Sequence, residues 1–421
     1  MWQGPHDTRQ AIVTYTQEAP ALREPPPRLA RGEAPHVRTC LQVLPALVQG
    51  GVERGAIDMA IAQVAAGWRA LVASSGGPLV RELTRGGAEH ITLPLDTKNP
   101  LAMKKNVMRL GAVLRDEQVD LVHARSRAPA WSAWKAAQGA NIPFVTTFHS
   151  AYGLGPFGVK KAYNRVMTRG SRVIAISTFI RDHLTAEYGV PADRIRIIHR
   201  GVDTATLDPN SVSAQRLIQL AQRWRLPDDG RVITLPGRLT SWKGHHLLID
   251  ALAELKRRNN TLKLRCIMLG QDQGRLGYRA SVMAHAARRG VDGIVQIVDD
   301  CNDLPAAYMA TDVVVSASTR PEAFGRVVAE AQAMGRPVVA PAHGAAPEII
   351  LDGATGWLFT PGDANALATA LANALALDQG GRVRLADAAI ARARTLFDKA
   401  DMCAKTLAVY DEVLAAAAAT A

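Results

Sequence analysis

Two glutamates, Glu322 and Glu330, lie eight positions apart around the start of a predicted helix. Apolar residues recur at three- and four-residue spacing after Gly325, which predicts a helix with one buried face, and residues 313–316 predict the strand before it. Carboxylates placed there can accept hydrogen bonds from sugar hydroxyls. Two solvated glutamates on an ordinary strand–helix turn would show the same isolated pattern, so the rest of the chain has to decide.

The turn between this strand and this helix offers backbone donors to an anion. Its N–H groups lie at a helix N-terminus, where a partial positive charge favours a phosphate. The candidate amides are those of Ala323, Phe324 and Gly325. Amides that face phosphate, beside carboxylates that face hydroxyls, suit a sugar nucleotide.

A basic loop directly follows the predicted strand at residues 232–236. It contains Arg238 and Lys243 in the run GRLTSWKG. A guanidinium binds a diphosphate as a fork and an ammonium binds it as a point charge, so the two together can hold a diphosphate. A solvated basic loop is the alternative for this run taken alone.

The N-terminal half of the chain offers two weaker signals. Gly50 and Gly51 join the first predicted strand to its helix, and paired glycines let the backbone approach a ligand closely. His149 ends the predicted strand at residues 144–148, where it can bond a sugar hydroxyl or stabilise developing charge. Alone, the glycines fit a tight turn and the histidine fits a structural role.

The elements that would position these residues form two similar series of alternating strands and helices. Such alternation indicates right-handed βαβ units and parallel sheets, so we predict an α/β protein with two Rossmann-like, doubly wound domains facing each other across a cleft. Ligands bind such sheets at the carboxyl ends of the strands. The predicted parts are a poorly ordered extension (1–35), an acceptor-side domain (36–205), a linker (206–229), a donor domain (230–395) and a C-terminal helix that packs back on the first domain (396–421), with continuous helix predicted over about 381–414.

The net charge of +12 is concentrated in one half of the chain. Residues 36–205 carry 22 lysines and arginines against 12 aspartates and glutamates, an excess of ten. Charge concentrated in one domain suggests an anionic partner for that domain. A basic amphipathic helix is predicted near residues 159–172, and such a helix can lie on an anionic membrane. The candidate membrane residues are Lys104, Lys105, Arg109, Lys160, Lys161, Arg165 and Arg169, although solvated helix faces would also explain them.

Cysteine usage and hydropathy favour a cytoplasmic protein. The four cysteines are widely scattered and fit neither a metal site nor a disulfide framework. No apolar run reaches the roughly 18 residues that a spanning helix requires, and the N-terminus has no signal-peptide core. We therefore expect a cytoplasmic location, with peripheral contact to the inner face of the cytoplasmic membrane through the basic half.

Taken together, these motifs resemble the retaining glycosyltransferases of the family-4 type, which have the two-domain GT-B fold. Among them, the chain is most similar to bacterial enzymes of lipopolysaccharide and cell-surface polysaccharide synthesis. Glu322 and Glu330 match the family's signature of two glutamates, the first near the donor sugar and the second on the ribose hydroxyls. Arg238 and Lys243 match the pair that holds the donor diphosphate.

The same resemblance extends to the first half and to the chemistry. Gly50 and Gly51 match the family's glycine loop, and His149 matches the histidine over the donor sugar. The resemblance implies transfer of a hexosyl unit from a UDP-, GDP- or ADP-sugar to a glycan or lipid-linked acceptor, with retention and with neither cofactor nor metal. It makes Glu322, His149, Arg238 and Lys243 the candidate catalytic residues, and Gly50, Gly51, Arg238, Lys243, Glu322, Ala323, Phe324, Gly325 and Glu330 the donor-binding ones.

Three segments depart from the family pattern. Arg200 stands where an asparagine is commoner before Gly-Val-Asp, residues 345–348 modify the usual glycine loop, and residues 270–274 lack the compact Gly-x-Gly form. The last departure is expected to alter the nucleotide-base pocket. None removes a residue assigned to the chemistry.

Other functions remain open at this point. A GT-B-fold epimerase or hydrolase would use the same donor residues, and a scaffold could keep the fold without activity. The basic charge alone would fit a nucleic-acid-binding protein, but aromatic residues make up only 5% of the chain, too few for the stacking platforms such proteins use. No nucleic-acid partner is therefore expected.

Overall fold

The computed structural model describes residues 36–48 and 50–420. The predicted extension at residues 1–35 lies outside the described part of the chain. From Val37 onwards the backbone forms two parallel sheets with helices on their faces. This architecture confirms the prediction of two Rossmann-like domains.

The first half contains a seven-stranded sheet with the order β3-β2-β1-β4-β5-β6-β7, and neighbouring strands are all parallel. Every residue of its first and fifth strands is buried, as expected for a sheet covered on both faces. The elements are β1 (Thr39–Val43), α1 (Gly51–Ala65), β2 (Arg69–Ser74), α2 (Val80–Arg85), β3 (Glu89–Thr92), α3 (Pro100–Asp116), β4 (Leu121–Ala124), α4 (Arg127–Gly139), β5 (Phe144–Phe148), α5 (Val159–Asn164), β6 (Arg172–Ala175), α6 (Thr178–Tyr188) and β7 (Ile195–Ile197).

The second half contains a six-stranded parallel sheet with the order β10-β9-β8-β11-β12-β13. Its elements are α7 (Ala214–Trp224), β8 (Arg231–Pro236), α8 (His245–Arg258), β9 (Leu264–Leu269), α9 (Leu276–Arg288), β10 (Val295–Val298), α10 (Leu304–Met309), β11 (Val313–Val315), α11 (Arg326–Ala333), β12 (Val338–Pro341), α12 (Ala346–Ile349), β13 (Trp357–Phe359), α13 (Ala364–Leu375), α14 (Gln379–Leu396) and α15 (Lys399–Ala418). Both sheets reverse their strand order beside the first strand, which is where ligands bind in open α/β sheets.

The stretch predicted as a linker contains α7, and this helix packs on the second half. Leu220 and Trp224 lie four positions apart on α7 and are buried against Ile267 and Leu269 of β9 and Ala306 of α10. The helix therefore forms part of the layer that covers the second sheet.

The continuous helix predicted near residues 381–414 was wrong, because the structure divides it at Phe397 and Asp398. The Asp398 side chain accepts hydrogen bonds from the N–H groups of Ala400 and Asp401, so it caps a new helix. This break lets α15 return to the first half, where Tyr410 is fully buried and its hydroxyl lies 2.6 Å from Nδ1 of His123.

The predicted basic amphipathic helix was also wrong as a continuous element. Asn164 ends α5, and residues Arg165–Thr168 form a short 3-10 helix instead. Asn164 is buried because its side chain accepts a hydrogen bond from Arg127 at 2.8 Å and donates to the Tyr188 hydroxyl at 3.1 Å. These bonds pull the chain inward at the point where the helix would have continued. None of the described helices is long and apolar enough to cross a membrane.

Candidate active site

A cavity of about 660 Å³ lies between the two halves, at the carboxyl ends of β1, β8 and β9. Gly50 and Gly51 form its wall on the first half, and Arg238 and Glu330 are among its wall residues on the second. This cavity is not lined by three other predicted site residues, Lys243, Glu322 and His149. The structure thus brings four of the predicted site residues directly to one cavity.

Lys243 and Glu322 form an ion pair at the end of β8. The ammonium Nζ lies 2.7 Å from Glu322 Oε1, and the hydroxyl of Ser318 donates to the same oxygen. The Lys243 side chain is 14% exposed and that of Glu322 is 21% exposed. Nζ also lies 4.5 Å from the centroid of the Trp242 ring. Two contacts therefore hold an ammonium that still has donors left for a phosphate, and Ser318 holds the carboxylate of the pair.

Gly244 makes this placement of Lys243 possible. The short 3-10 helix Ser241–Lys243 ends at Gly244, which has φ +77°. A Cβ at this position would collide with the backbone carbonyl of Ala317, just beyond β11. Glycine is therefore required for the basic loop to pack against the end of that strand.

Arg238 differs from Lys243 in having no fixed partner. It is exposed on the loop after β8, and its guanidinium forms no ion pair or hydrogen bond with the described residues. The side chain lines the cavity with its donors unused. It is the more adaptable of the two predicted diphosphate ligands.

Glu330 lies in the second turn of α11 and is held from both sides. The Tyr308 hydroxyl donates to Oε2 at 2.7 Å, and Arg326 donates to Oε1 at 2.8 Å. Burial raises the pKa of Tyr308 well above its usual value, and the Glu330 carboxylate acts in the same direction, so this hydroxyl stays a donor. The Glu330 side chain is therefore held in one orientation at the cavity wall.

The predicted amides at residues 323–325 lie where the two halves meet. The Ala323 carbonyl accepts a hydrogen bond from the Ser177 hydroxyl at 2.6 Å. Phe324 is buried, with its ring centroid 5.5 Å from that of Phe397. Gly325 has φ +88° and precedes the first residue of α11. The turn that starts α11 is thus braced by the first half as well as by its own sheet.

Glu348 makes a further contact between the halves. Its two oxygens accept hydrogen bonds from the N–H groups of Thr178 at 2.7 Å and Phe179 at 2.6 Å, which begin α6. One of them also lies 3.4 Å from His199 Nε2. Burial raises the pKa of Glu348, but the hydrogen bonds from His199, Phe179 and Thr178 outweigh it and lower the pKa below its usual value.

On the first half, His149 follows β5 and is half-buried. Burial holds the pKa of His149 well below its usual range, and the guanidinium groups of Arg200 and Arg125 act in the same direction. Its Nδ1 lies 3.4 Å from Arg200 Nη1, and its Nε2 has no partner among the described residues. The imidazole is therefore neutral at physiological pH.

Two family models match successive parts of the chain. Glycosyltransferase Family 4 matches residues 49–206, and Glycosyl transferases group 1 matches residues 219–394. A curated relative named D-inositol 3-phosphate glycosyltransferase, from Xylanimonas cellulosilytica, is 32% identical over 73% of this chain and 76% of its own length. The chain belongs to the family-4 glycosyltransferases.

Two solved structures support the assignment of the chain to this family. A glycosyltransferase from Rickettsia africae superposes with a TM-score of 0.83 at 35% identity, over 90% of this chain and 99% of that one. The Anabaena protein HepE, solved in complex with UDP and glucose, superposes with a TM-score of 0.76 at 25% identity, over 89% of this chain and 100% of that one. Both similarities extend across the two sheets of this glycosyltransferase and confirm the GT-B fold.

Sequence reasoning missed several residues that shape the site of this glycosyltransferase. Arg326 carries a recognisable signal, since it lies four positions before Glu330 on the same helix face. Arg200 was visible only as a departure from the family pattern. Tyr308 and Ser318 carry no local signal, because their contacts with Glu330 and Glu322 depend on how separate elements pack.

Proposed function

We propose that this glycosyltransferase moves a hexosyl unit from a nucleotide-diphosphate sugar to an acceptor hydroxyl, with retention of the anomeric configuration. The observation that carries the proposal is the set of charged groups at this edge of the second sheet: the ion pair of Lys243 with Glu322, and Arg238 and Glu330 in the cavity wall. Cations there suit a diphosphate, and oriented carboxylates suit sugar and ribose hydroxyls. The complex of HepE with UDP and glucose makes a UDP-hexose the first donor to test.

The proposed reaction separates a diphosphate from an anomeric carbon. The bond between C1 and the β-phosphate oxygen breaks, and the acceptor oxygen bonds C1 on the same face. The acceptor proton passes to the departing phosphate, so no protein base is needed. Lys243 and Arg238 would stabilise the negative charge that develops on the diphosphate, the largest electrostatic demand of the step. A neutral His149 fits this scheme, in which it serves as a donor to a hydroxyl.

The donor is identified by a panel of UDP-, GDP- and ADP-sugars in a thermal-shift assay, since a bound ligand stabilises the fold by mass action. We expect one nucleotide class to raise the melting temperature, and the Lys243→Met variant to lose most of that shift. Product analysis by NMR with a competent acceptor should then show the donor's anomeric configuration. Failure of every nucleotide sugar to stabilise the protein, or rapid hydrolysis or epimerisation without acceptor, would contradict the proposal.

For the acceptor, we propose a membrane-associated glycan of the cell envelope, used at the inner face of the cytoplasmic membrane. Large apolar side chains are exposed on the first half beside its lysines. Phe157 is completely exposed and Val159 is 74% exposed next to Lys160, while Leu101 and Met108 flank Lys104 and Lys105 on α3. Apolar residues ringed by lysine suit an anionic lipid surface. Lys161 and Arg169 contribute less, because Lys161 lies 3.8 Å from Glu187 and Arg169 lies over the Trp134 ring.

Vesicle binding tests this part of the proposal. Sedimentation with anionic vesicles should fall sharply in a variant that combines Phe157→Ser with Lys160→Ser, and remain unchanged in the control Lys256→Ser and Arg257→Ser on α8. The names of the curated relatives favour a second candidate, a soluble inositol phosphate acceptor. Full turnover with inositol 3-phosphate and no vesicle binding would favour that acceptor and refute the envelope glycan.

A further inference from the structure

Arg200 is a buried cation that forms no ion pair with any carboxylate of the described residues, although Asp58 and Glu53 act on its charge from farther away. It follows β7 and is 6% exposed. Burial lowers the pKa of Arg200 to about 9, and the guanidinium groups of Arg326 and Arg125 act in the same direction. A charged group is costly to bury unless its hydrogen bonds are made, so the contacts of this guanidinium require an explanation.

Those contacts connect two parts of the proposed donor site. Nη2 donates to the backbone carbonyl of Gly51, at the start of α1, and Nη1 lies 3.4 Å from His149 Nδ1. Gly51 and His149 are 98 residues apart in the sequence and belong to different strand–helix units. One side chain therefore orients both the glycine loop and the histidine.

A second glycine on α1 makes room for Arg200. A Cβ on Gly55 would lie 2.9 Å from Arg200 Nη2, closer than real side chains approach, and a Cβ on Gly51 would lie 3.8 Å from Nη1. A glycine inside a helix is intrinsically unfavourable compared with alanine, by about 1 kcal/mol. Close approach of the guanidinium explains why Gly55 is nonetheless found there.

The contact with Arg200 also determines which nitrogen of His149 carries the proton. A guanidinium has only donors and no acceptor. Nδ1 must therefore accept the hydrogen bond through its lone pair and carries no proton. The proton of the neutral ring then lies on Nε2. That Nε2 has no partner among the described residues, so its N–H is not used within the protein.

We propose that Arg200 is a positioning residue that holds His149 as an Nε2–H donor and fixes the Gly51 carbonyl at the start of α1. In this tautomer His149 donates to a hydroxyl oxygen of the donor sugar and cannot act as a base through Nε2. The ligand contact rests on the proposed function, whereas the tautomer does not. The two statements can therefore fail separately.

The tautomer is measured by NMR of the two ring nitrogens in protein labelled with 15N-histidine. The signal of His149 is assigned by its loss in a His149→Gln variant. We expect Nε2 protonated in the wild-type protein, and a mixture of both tautomers in Arg200→Met, with Arg200→Lys intermediate because an ammonium cannot reach both partners. The matched control is Arg336→Met, which removes another largely buried arginine from the second half.

Kinetics test whether this arrangement matters for transfer. With the UDP-sugar selected by the donor panel, Arg200→Met should lower kcat at least tenfold in the wild-type background. In the His149→Gln background the same substitution should lower kcat less than twofold, because Arg200 acts through the His149 ring. Equal losses in both backgrounds would overturn the positioning role. A wild-type proton on Nδ1, or unchanged tautomers in both Arg200 variants, would overturn the proposal even if the enzyme transfers sugar. If Arg200→Met fails to fold, Gly55→Ala displaces the guanidinium without removing it and should shift the tautomer likewise.

Discussion

The two walls of the cleft are built in different ways. On the second half, Lys243 pairs with Glu322 and Arg326 pairs with Glu330, whereas the Arg238 guanidinium has no partner among the described residues. On the first half, the wall includes the glycine backbone at Gly50 and Gly51, and the buried Arg200, which forms no ion pair with the described residues, connects Gly51 to the neutral His149 behind that wall. The second wall is oriented by ion pairs and the first by backbone contacts.

This difference has a physical consequence for the ligand. At the second wall the Lys243 ammonium has donors that Glu322 does not use, so an incoming diphosphate can bind it while the ion pair stays in place. At the first wall the charge of Arg200 is buried, and its two terminal nitrogens contact groups of the protein. We therefore expect the second wall to govern donor affinity and charge stabilisation, and the first wall to govern geometry.

The largest expected effect comes from removing the ammonium of the second wall. Lys243→Met should lower kcat/KM by a factor of about 10²–10³, or about 3–4 kcal/mol, because a fixed donor to the departing diphosphate is lost. Steady-state kinetics with the preferred donor measures this loss. The control is Lys405→Met, which removes an exposed lysine paired with Asp401 on α15. A loss within twofold of that control would remove Lys243 from the site.

A smaller effect is expected where the two walls are joined. Glu348→Gln should destabilise the protein by about 1.5–3 kcal/mol near pH 7, since a carboxylate that accepts two backbone N–H bonds is replaced by an amide that accepts only one. Because the pKa of Glu348 is lowered in the folded protein, its stabilisation is complete above the unfolded carboxyl pKa of about 4.3 and is lost as the pH falls through the folded value.

Thermal unfolding of both proteins between pH 3 and pH 8 checks the sign. The difference in melting temperature should be largest above about pH 5 and should shrink at lower pH. Glu89→Gln is the control, because its ion pair with Arg69 lies on the surface and contributes little. A pH-independent difference would show that Glu348 contributes by packing and not as a carboxylate.

The second wall was also the more predictable one. Arg238, Lys243 and Glu322 lie on loops that follow strands, Glu330 lies on the helix after one of them, and a strand end limits where such residues can lie in a parallel sheet. The alternation of strands and helices likewise predicted both sheets, because each βαβ unit is a local pattern.

The first wall and the chain reversals were less accessible from the sequence. Arg200 gains its role from Gly51 and His149, which are distant in the sequence, and no spacing rule connects the three. Helix α5 ends at Asn164, whose side chain bonds Tyr188 of α6, an element that only the tertiary fold brings near. Helix α14 ends just before Asp398, whose side chain caps the next helix, whereas the hydrophobic period alone would continue the first one. Such positions are set by packing and capping, which override the hydrophobic period.

The smallest expected effect concerns the backbone of the first wall. Gly51→Ala adds a Cβ that would lie 3.7 Å from Arg326 Cδ and 3.8 Å from the Arg200 guanidinium, which is ordinary contact. As the first residue of α1, position 51 should gain helix propensity, so we expect the melting temperature to stay level or rise. The same methyl group enters the cavity beside the proposed diphosphate, and donor affinity should fall about tenfold, or about 1.4 kcal/mol. Calorimetric titration with UDP measures it, with Gly111→Ala on α3 as the control because a Cβ there meets open space. Equal affinity in Gly51→Ala and the control would mean that the first wall does not approach the donor.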